Sequence, residues 1–425
     1  QAILAQALAQ TRAAVAACDK LWYANIFYQD LMWWTLMRPG FTQGIEIRYL
    51  LMSGALGLAV LASLGGGKSS LFRRLRRFLG WRHQHRIVGI HVFPVKSMAG
   101  LELSSAVLCS HGFAHDRRFA VVDRSSGQVL TQRERARMRL ITPSLIDGHL
   151  VLQDGERPEN GSVRVPLMDS GEGELVKMWA KPSQEWGTCE PLCADCGNEV
   201  ARWLTQALDG QEAGEELKYR LVRMAGQGGK CYEEKPKKLR KAGAEAVWAD
   251  CYGEHDNLVF QDGSPMLIAS LASLSELNRR LQKESKPPVN VSRFRANLIV
   301  DGNEPFEEDW WSRMTLQGSD LGSGVALKLA KPCHRCIVTT KTQVIVGEGE
   351  HGETRPTNTS LEPLTTLKKF RLQRGGKDER FKTAPCFAVN VSFVSPPDAT
   401  WRKVQIGDTL TVDSWASQSA LEATY

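Results

Sequence analysis

Residues 49–67, YLLMSGALGLAVLASLGGG, carry no charge, and the cations Lys68, Arg73, Arg74, Arg76, Arg77, Arg82 and Arg86 follow with no acid among them. A helix crossing a hydrocarbon core needs ~20 apolar residues, because lipid satisfies no backbone N–H or C=O. Ser53, Gly54, Ala55 and Gly57 suit close helix packing in such a setting. Length and flanking arginines predict a transmembrane helix over residues 45–67. The basic juxtamembrane linker, 68–86, then keeps the rest of the chain on a cytosolic or matrix-like side. A buried core helix is the competing outcome of the same run. Ahead of it lies an N-terminal extension, residues 1–44. Its alanine-rich opening predicts helix, and LWYANIFYQDLMWWTLMRPGF concentrates aromatic and methionine side chains. Those favour a membrane interface, a partner's surface, or packing against the chain's own span. The first residue is Gln1, as expected of a chain whose leader has been removed or whose start is missing.

Beyond Arg86 the period changes. Val88, Ile90 and Val92 alternate with Ile87, Gly89 and His91, which predicts a strand. Ala106–Leu108 and Phe119–Val122 are further short strands, and Asn297–Val300 is a buried one. Asn198 to Leu208 reads as an amphipathic helix with Val200, Trp203, Leu204 and Ala207 on one face. A second helix is expected to begin near Ser273, where Ser273 and Glu276 fit a capping box and Leu274, Leu277 and Leu281 share a face. KVQIGDTLTV reads as two strands joined in a hairpin at Gly407-Asp408. Strands dominate and helices punctuate them, so the fold class is α+β with barrel-like sheets.

The net charge of +7 is concentrated in the basic linker, and no recognition helix or RNA-binding signature accompanies it, so nucleic acid is not an expected partner. The ten cysteines lack the dense spacing of a secreted disulfide scaffold and point to a reducing compartment. GALGLAV and GGGK have no βαβ context, which leaves no nicotinamide or flavin fingerprint. The polar, basic Lys230–Glu245 reads as a solvated loop or a dock for an acidic redox partner.

The chemistry concentrates in KPCHRCIVTT, residues 331–340. Cys333 and Cys336 sit three apart with Arg335 between them, and a cationic neighbour favours thiolate. A thiolate suits a soft metal centre. The residues alone leave half a zinc site, a redox pair and two core cysteines open. Cys189, Cys193 and Cys196 are the further zinc candidates, and their spacing is irregular.

An ordered set of segments adds to this: FPVKSMAG at 93–100, DRRFAVVD at 116–123, CADCGNEVARWLTQAL at 193–208, SPMLIASLASLSELNRRL at 264–281, RFRANLIVDG at 293–302, EEDWW at 307–311, CHRCIVTT and LEPLTTLKKFR at 361–371. From about Arg86 onward the chain resembles the MOSC family and its amidoxime-reducing branch. The resemblance implies a MOSC N-terminal β-barrel-like domain over 87–205 and a MOSC β-barrel domain over 206–425, preceded by one transmembrane helix. It implies a molybdenum cofactor with a single pyranopterin dithiolene, Cys336 as metal ligand and catalytic thiolate, and Cys333 as a packed neighbour. Lys96, Ser97, Arg117, Ser264, Arg295 and Asn297 match cofactor-side positions, cations and hydroxyls suited to an anionic ligand.

The implied activity is reduction of N-hydroxylated substrates such as amidoximes. The implied electron source is an external haem donor of the cytochrome b5 type, itself fed by an NADH reductase, at a mitochondrial membrane. Gly263 stands where relatives often have Thr, the TxDPxTG turn is replaced by KTQVIVGEGEHG, Ala388 stands where Gly is common, and the 348–358 loop is unusual. These departures and the extension leave two other expectations: a non-catalytic subunit of a larger mitochondrial membrane complex, docked through residues 1–44, and a sulfur carrier with a persulfide on Cys336.

Overall fold

The structure is a computed structural model that describes residues 83–167, 193–210, 216–224, 260–262, 264–347, 361–373, 383–395, 402–417 and 419–421, with strand backbone also at 175–177 and 192. The predicted extension, span and most of the basic linker, Lys230–Glu245 and the 348–358 loop lie outside these residues. Among the described residues no helix is long and apolar enough to cross a membrane.

β1 (His83–Val92) leads through β2 (Gly100–Glu102), β3 (Ser105–Cys109), β4 (Gly112–Phe113) and β5 (Phe119–Asp123) to β6 (Ile141–Ile146), β7 (His149–Asp154) and β8 (Ser162–Pro166). β9 (Leu175–Lys177), β10 (Leu192–Asp195), helix α1 (Asn198–Asp209) and β11 (Tyr219–Met224) follow. The second half runs β12 (Met266–Ser270), helix α2 (Leu271–Lys283), β13 (Leu298–Val300), β14 (Trp311–Gln317), β15 (Val325–His334) and β16 (Ile345–Val346). A short helix α3 (Leu364–Lys368), β17 (Cys386–Phe393), β18 (Arg402–Gln405) and β19 (Thr409–Trp415) complete it.

Strands β13-β12-β17-β15-β14-β19-β1 are neighbours in that order, and β1 pairs back onto β13, closing a seven-stranded barrel. Closure leaves those strands no open edge. β12 and β13 pair in parallel, as a strand–helix–strand crossover through α2 allows. β12, β13 and β17 are buried on both faces, whereas β14 and β15 expose alternate residues on one face. Met266, Ile268, Leu298, Val300, Val389 and Val391 point into one core. The alternates Leu267, Ala269 and Ile299 pack outward with Leu277 and Leu281 of α2, and Phe387 joins them because the left-handed backbone at Ala388 breaks the alternation of β17. A separate core gathers Val121, Ile141, Leu150, Leu152 and Val163 with Val200, Trp203, Leu204 and Ala207 of α1, the face that the helical period marks. β11 belongs to this half, in the sheet β5-β11-β10-β9.

Three sequence expectations change. Val88 does not share a core with Ile90 and Val92, because a bulge between Ile87 and Gly89 shifts the alternation. The second helix begins near Ser273 as expected, at Leu271, but its cap is not Ser273: Ser270 is the N-cap and accepts from the Ser273 amide, while the Ser273 hydroxyl is buried against Glu308 at 2.7 Å. KVQIGDTLTV does contain two strands around Gly407, but they are not a hairpin ladder. β18 pairs with β3 and β19 with β1 and β14, and Gly407 turns the chain between sheets at φ +97°.

Candidate anion and thiol site

The segment after β1 lies along the one before β5. The Arg117 amide donates to the Phe93 carbonyl at 2.7 Å and the Lys96 amide to the Phe119 carbonyl at 2.8 Å. That pairing brings Lys96, Ser97 and Arg117 together from two sequence segments. The loop before β13 adds Arg295. Ser97, Arg117 and Arg295 all have left-handed backbone, at φ +65°, +49° and +53°, a conformation that non-glycine residues adopt at functional sites more than elsewhere.

Phe93, fully buried, is the platform. The guanidinium carbons of Arg117 and Arg295 lie 4.4 Å and 4.2 Å from its ring centroid. Arg117 is held by Asp116, with Nη1 2.8 Å and 2.6 Å from the two carboxylate oxygens. Its Nη2 donates to the Arg295 carbonyl at 3.2 Å. Arg295 Nη1 donates to the Met98 carbonyl at 2.8 Å and to Gln343 Oε1 at 3.0 Å. Burial, and then the like charge of Arg117, push Arg295 down to about 9. Lys96 Nζ donates to the Phe260 carbonyl at 2.9 Å and pairs with Asp262. Loss of solvent pulls the Asp262 carboxyl up, but Lys96, backed by Arg133 and Arg117, outweighs it and holds it below the ordinary range.

Cys336 is half-buried at the entry to a 3-10 turn, Ile337–Thr340. Its sulfur caps no backbone group there, and its carbonyl accepts from the Thr339 amide at 3.1 Å. The cation facing the sulfur is Arg133, with Nη2 at 3.4 Å. Desolvation works against the Arg133 charge, but Cys336, Asp262 and Glu134 outweigh it and raise its pKa above the ordinary value. Arg335, which the sequence offers as the cation beside the thiol, is buried and committed elsewhere. Its Nε and Nη2 donate to the Phe387 carbonyl at 2.8 Å and 2.7 Å, and its Nη1 to the Phe294 carbonyl at 3.0 Å. Cys333 packs beside the outer core of Phe294, Leu367 and Phe387.

The structure therefore brings Lys96, Ser97, Arg117 and Arg295 into one connected neighbourhood with Cys336. Gln132 and Gln343 make the connection. Gln132 Nε2 donates to the Ser97 carbonyl at 2.9 Å and to Gln343 Oε1 at 2.9 Å, and Gln343 Nε2 reaches the Val338 carbonyl in the Cys336 turn at 3.3 Å. Ser264 and Asn297 have other employment. Ser264 Oγ lies 2.7 Å from the Met266 carbonyl and 2.9 Å from Asn390 Oδ1. Asn297 donates to the His91 carbonyl at 3.2 Å and accepts from the Leu267 amide at 3.2 Å, stitching three strands together.

Sequence reasoning missed Arg133, Asp262, Gln132 and Gln343. The only signal for the first was the charge-rich TQRERAR, which a solvated turn writes equally well. Cys193 and Cys196 are pushed up to about 12 by burial, so both stay protonated thiols. Cys189 lies outside the described residues, among which no group of three or more His, Cys, Asp or Glu is placed to hold a metal.

Lys96, Arg117, Arg133 and Arg295 outnumber the carboxylates Asp116, Asp262 and Glu134 that face them. Positive charge, hydrogen-bond donors and a sulfur nucleophile in one place suit an anionic ligand with a soft metal.

Residues 84–211 match the MOSC N-terminal beta barrel domain and residues 255–411 the MOSC domain. Mitochondrial amidoxime reducing component 2 of Rattus norvegicus is 29% identical over 348 residues, 80% of this chain and 87% of that protein. Mitochondrial amidoxime-reducing component 1 of Homo sapiens is 27% identical over 341 residues, 78% of this chain and 86% of its own length. Molybdenum cofactor sulfurase of Drosophila melanogaster is 29% identical over 294 residues, 68% of this chain and 30% of that larger protein.

Proposed function

Since the chain belongs to the MOSC family, with that family's N-terminal barrel domain and MOSC domain in order, we propose that it is a molybdenum-cofactor-dependent reductase of N-hydroxylated compounds. The observation that carries this reading is the Cys336 sulfur, 3.4 Å from the Arg133 guanidinium and tied through Gln343 to the cations on Phe93. The residues fit an anionic cofactor on physical grounds. Arg295 is half-buried beside the like charge of Arg117, and desolvation and that charge push it down to about 9, so its charge is under-compensated, and a bound phosphate or dithiolene would relieve it.

Cys336 would ligate the metal, and Lys96, Ser97, Arg117 and Arg295 would hold the anionic parts. Once bound, the cofactor supplies the two-electron reduction that turns R–NHOH, with two protons, into R–NH2 and water. The protein's share is to fix the thiolate, anchor the ligand by charge and keep Arg133 beside the reacting region. The electrons would arrive singly from a haem protein of the cytochrome b5 type, itself reduced by an NADH reductase. The relatives' mitochondrial names, with the uncharged run at 49–67 and its basic flank, support a single-pass mitochondrial membrane location.

The test is Cys336→Ala in the full chain. Molybdenum and pterin should be absent from the purified variant, amidoxime reduction with a reconstituted haem donor should fall at least 10³-fold, about 4 kcal/mol of lost transition-state stabilisation, and the melting temperature should stay near that of the metal-free wild type. A variant that keeps its metal overturns the assignment.

One observation favours a second reading, a non-catalytic subunit of a mitochondrial membrane complex. Ser264, Asn297 and Lys96 are spent on Asn390, strand carbonyls and Asp262, so part of the expected ligand shell is satisfied within the protein. Co-purification with a large membrane assembly, free of molybdenum, would favour it.

A further inference from the structure

Gln132 and Gln343 are 4% and 0% exposed, and their amides are used almost to capacity. A primary amide has two donor hydrogens and one acceptor oxygen. The pair exchanges reciprocal bonds, Gln132 Nε2 to Gln343 Oε1 at 2.9 Å and Gln343 Nε2 to Gln132 Oε1 at 3.0 Å. The second Gln132 hydrogen goes to the Ser97 carbonyl at 2.9 Å. The second Gln343 hydrogen is shared between the carbonyls of Lys341 at 3.1 Å and Val338 at 3.3 Å. Gln343 Oε1 also accepts from Arg295 Nη1 at 3.0 Å.

Each bond ends on a part of the candidate site. Arg295 is the half-buried cation on Phe93, Ser97 follows Lys96, Val338 lies in the turn that Cys336 opens, and Arg133, next to Gln132, faces the Cys336 sulfur. The two glutamines are 211 residues apart in sequence. They therefore connect a turn of the first half of the chain to the thiol-bearing turn of the second. Gln343 also falls in the KTQVIVGEGEHG stretch, which departs from the family's usual turn.

We propose that Gln132 and Gln343 are paired positioning residues that lock the Cys336 turn and the Arg295 guanidinium into one register, so that a single anionic ligand meets both. This rests on the reading that Cys336 and Arg295 share a ligand. Neither glutamine touches that ligand. They act through Arg295 and through the backbone on either side of the thiol.

Methionine is close to glutamine in shape and removes every one of these bonds. Gln132→Met, Gln343→Met and the double variant are made in the full chain. Two quantities are read: molybdenum and pterin retained per protein after extended dialysis, and hydrogen exchange of the 337–343 amides in metal-free protein. Each single variant should lose cofactor about tenfold faster and exchange those amides about tenfold faster, the scale of one buried hydrogen bond lost. The double variant should be little worse than either single, because reciprocal partners act as a unit. Gln132→Met is the more informative single variant, because its substitution lies far in sequence from the amides being read and a direct disturbance of the 337–343 turn does not explain the effect. Cofactor retention unchanged beside a molybdenum-loaded wild type overturns the proposal, even if the melting temperature falls. Unchanged exchange at 337–343 in Gln132→Met overturns it as well. A wild type that holds no molybdenum defeats the functional reading instead, and the exchange result still decides whether the lock exists.

Discussion

Ala388 shows how much one side chain constrains. It is fully buried in β17 at φ +64°, where a Cβ crowds the following carbonyl at a cost of roughly 1–2 kcal/mol. Its neighbour Phe387 gives the carbonyl that the Arg335 guanidinium takes twice. The backbone there is thus fixed by Arg335, beside Cys336, and not by the preference of residue 388. Ala388→Gly should relieve the strain and raise stability by about 1 kcal/mol, less the extra entropy of a glycine in the unfolded chain. Thermal denaturation checks this, and a lower melting temperature would show that the methyl group's packing outweighs the backbone term.

The loop between β1 and β2 carries Lys96 and the Phe93 ring under Arg117 and Arg295, and its geometry depends on a close approach. A Cβ on Gly100 would lie 2.5 Å from Cε1 of Phe93 and 2.7 Å from Cδ1 of Ile345. β2 runs tight against the ring that Arg117 and Arg295 share, with Ile345 of β16 on the same glycine. Gly100→Ala must move Phe93 or part β2 from β16, at about 1–3 kcal/mol for overpacking, and the displacement passes to both guanidiniums. Reduced molybdenum content together with a lower melting temperature is expected. Wild-type metal content would mean that the Phe93 platform tolerates the shift.

Global stability should follow the desolvated histidines. His85, His111 and His115 are all lowered by burial first, with Arg118 adding to the shift of the latter two and His111 reaching about 4. A histidine lowered in the folded state is protonated first in the unfolded chain. Its stabilisation is complete above the ordinary value near ~6.5 and is lost as pH falls toward the folded value. For His111 that amounts to roughly 2–3 kcal/mol between pH 6.5 and 4.5. His111→Gln should flatten denaturation curves over that window, and an unchanged slope would place the titration elsewhere. The sequence determined much of this molecule: the amphipathic face of α1, the strand at 119–122, the strand-rich class and the CxRC segment with its thiol. These follow from periodicity and composition, which act over a few residues and survive in any tertiary setting. Only the tertiary structure decided that β1 closes the barrel, that β18 and β19 part company, that Arg335 serves the backbone while Arg133 faces the sulfur, and that Gln132 finds Gln343. Those outcomes depend on which distant segments meet when the cores close, and no local preference of either segment records the other.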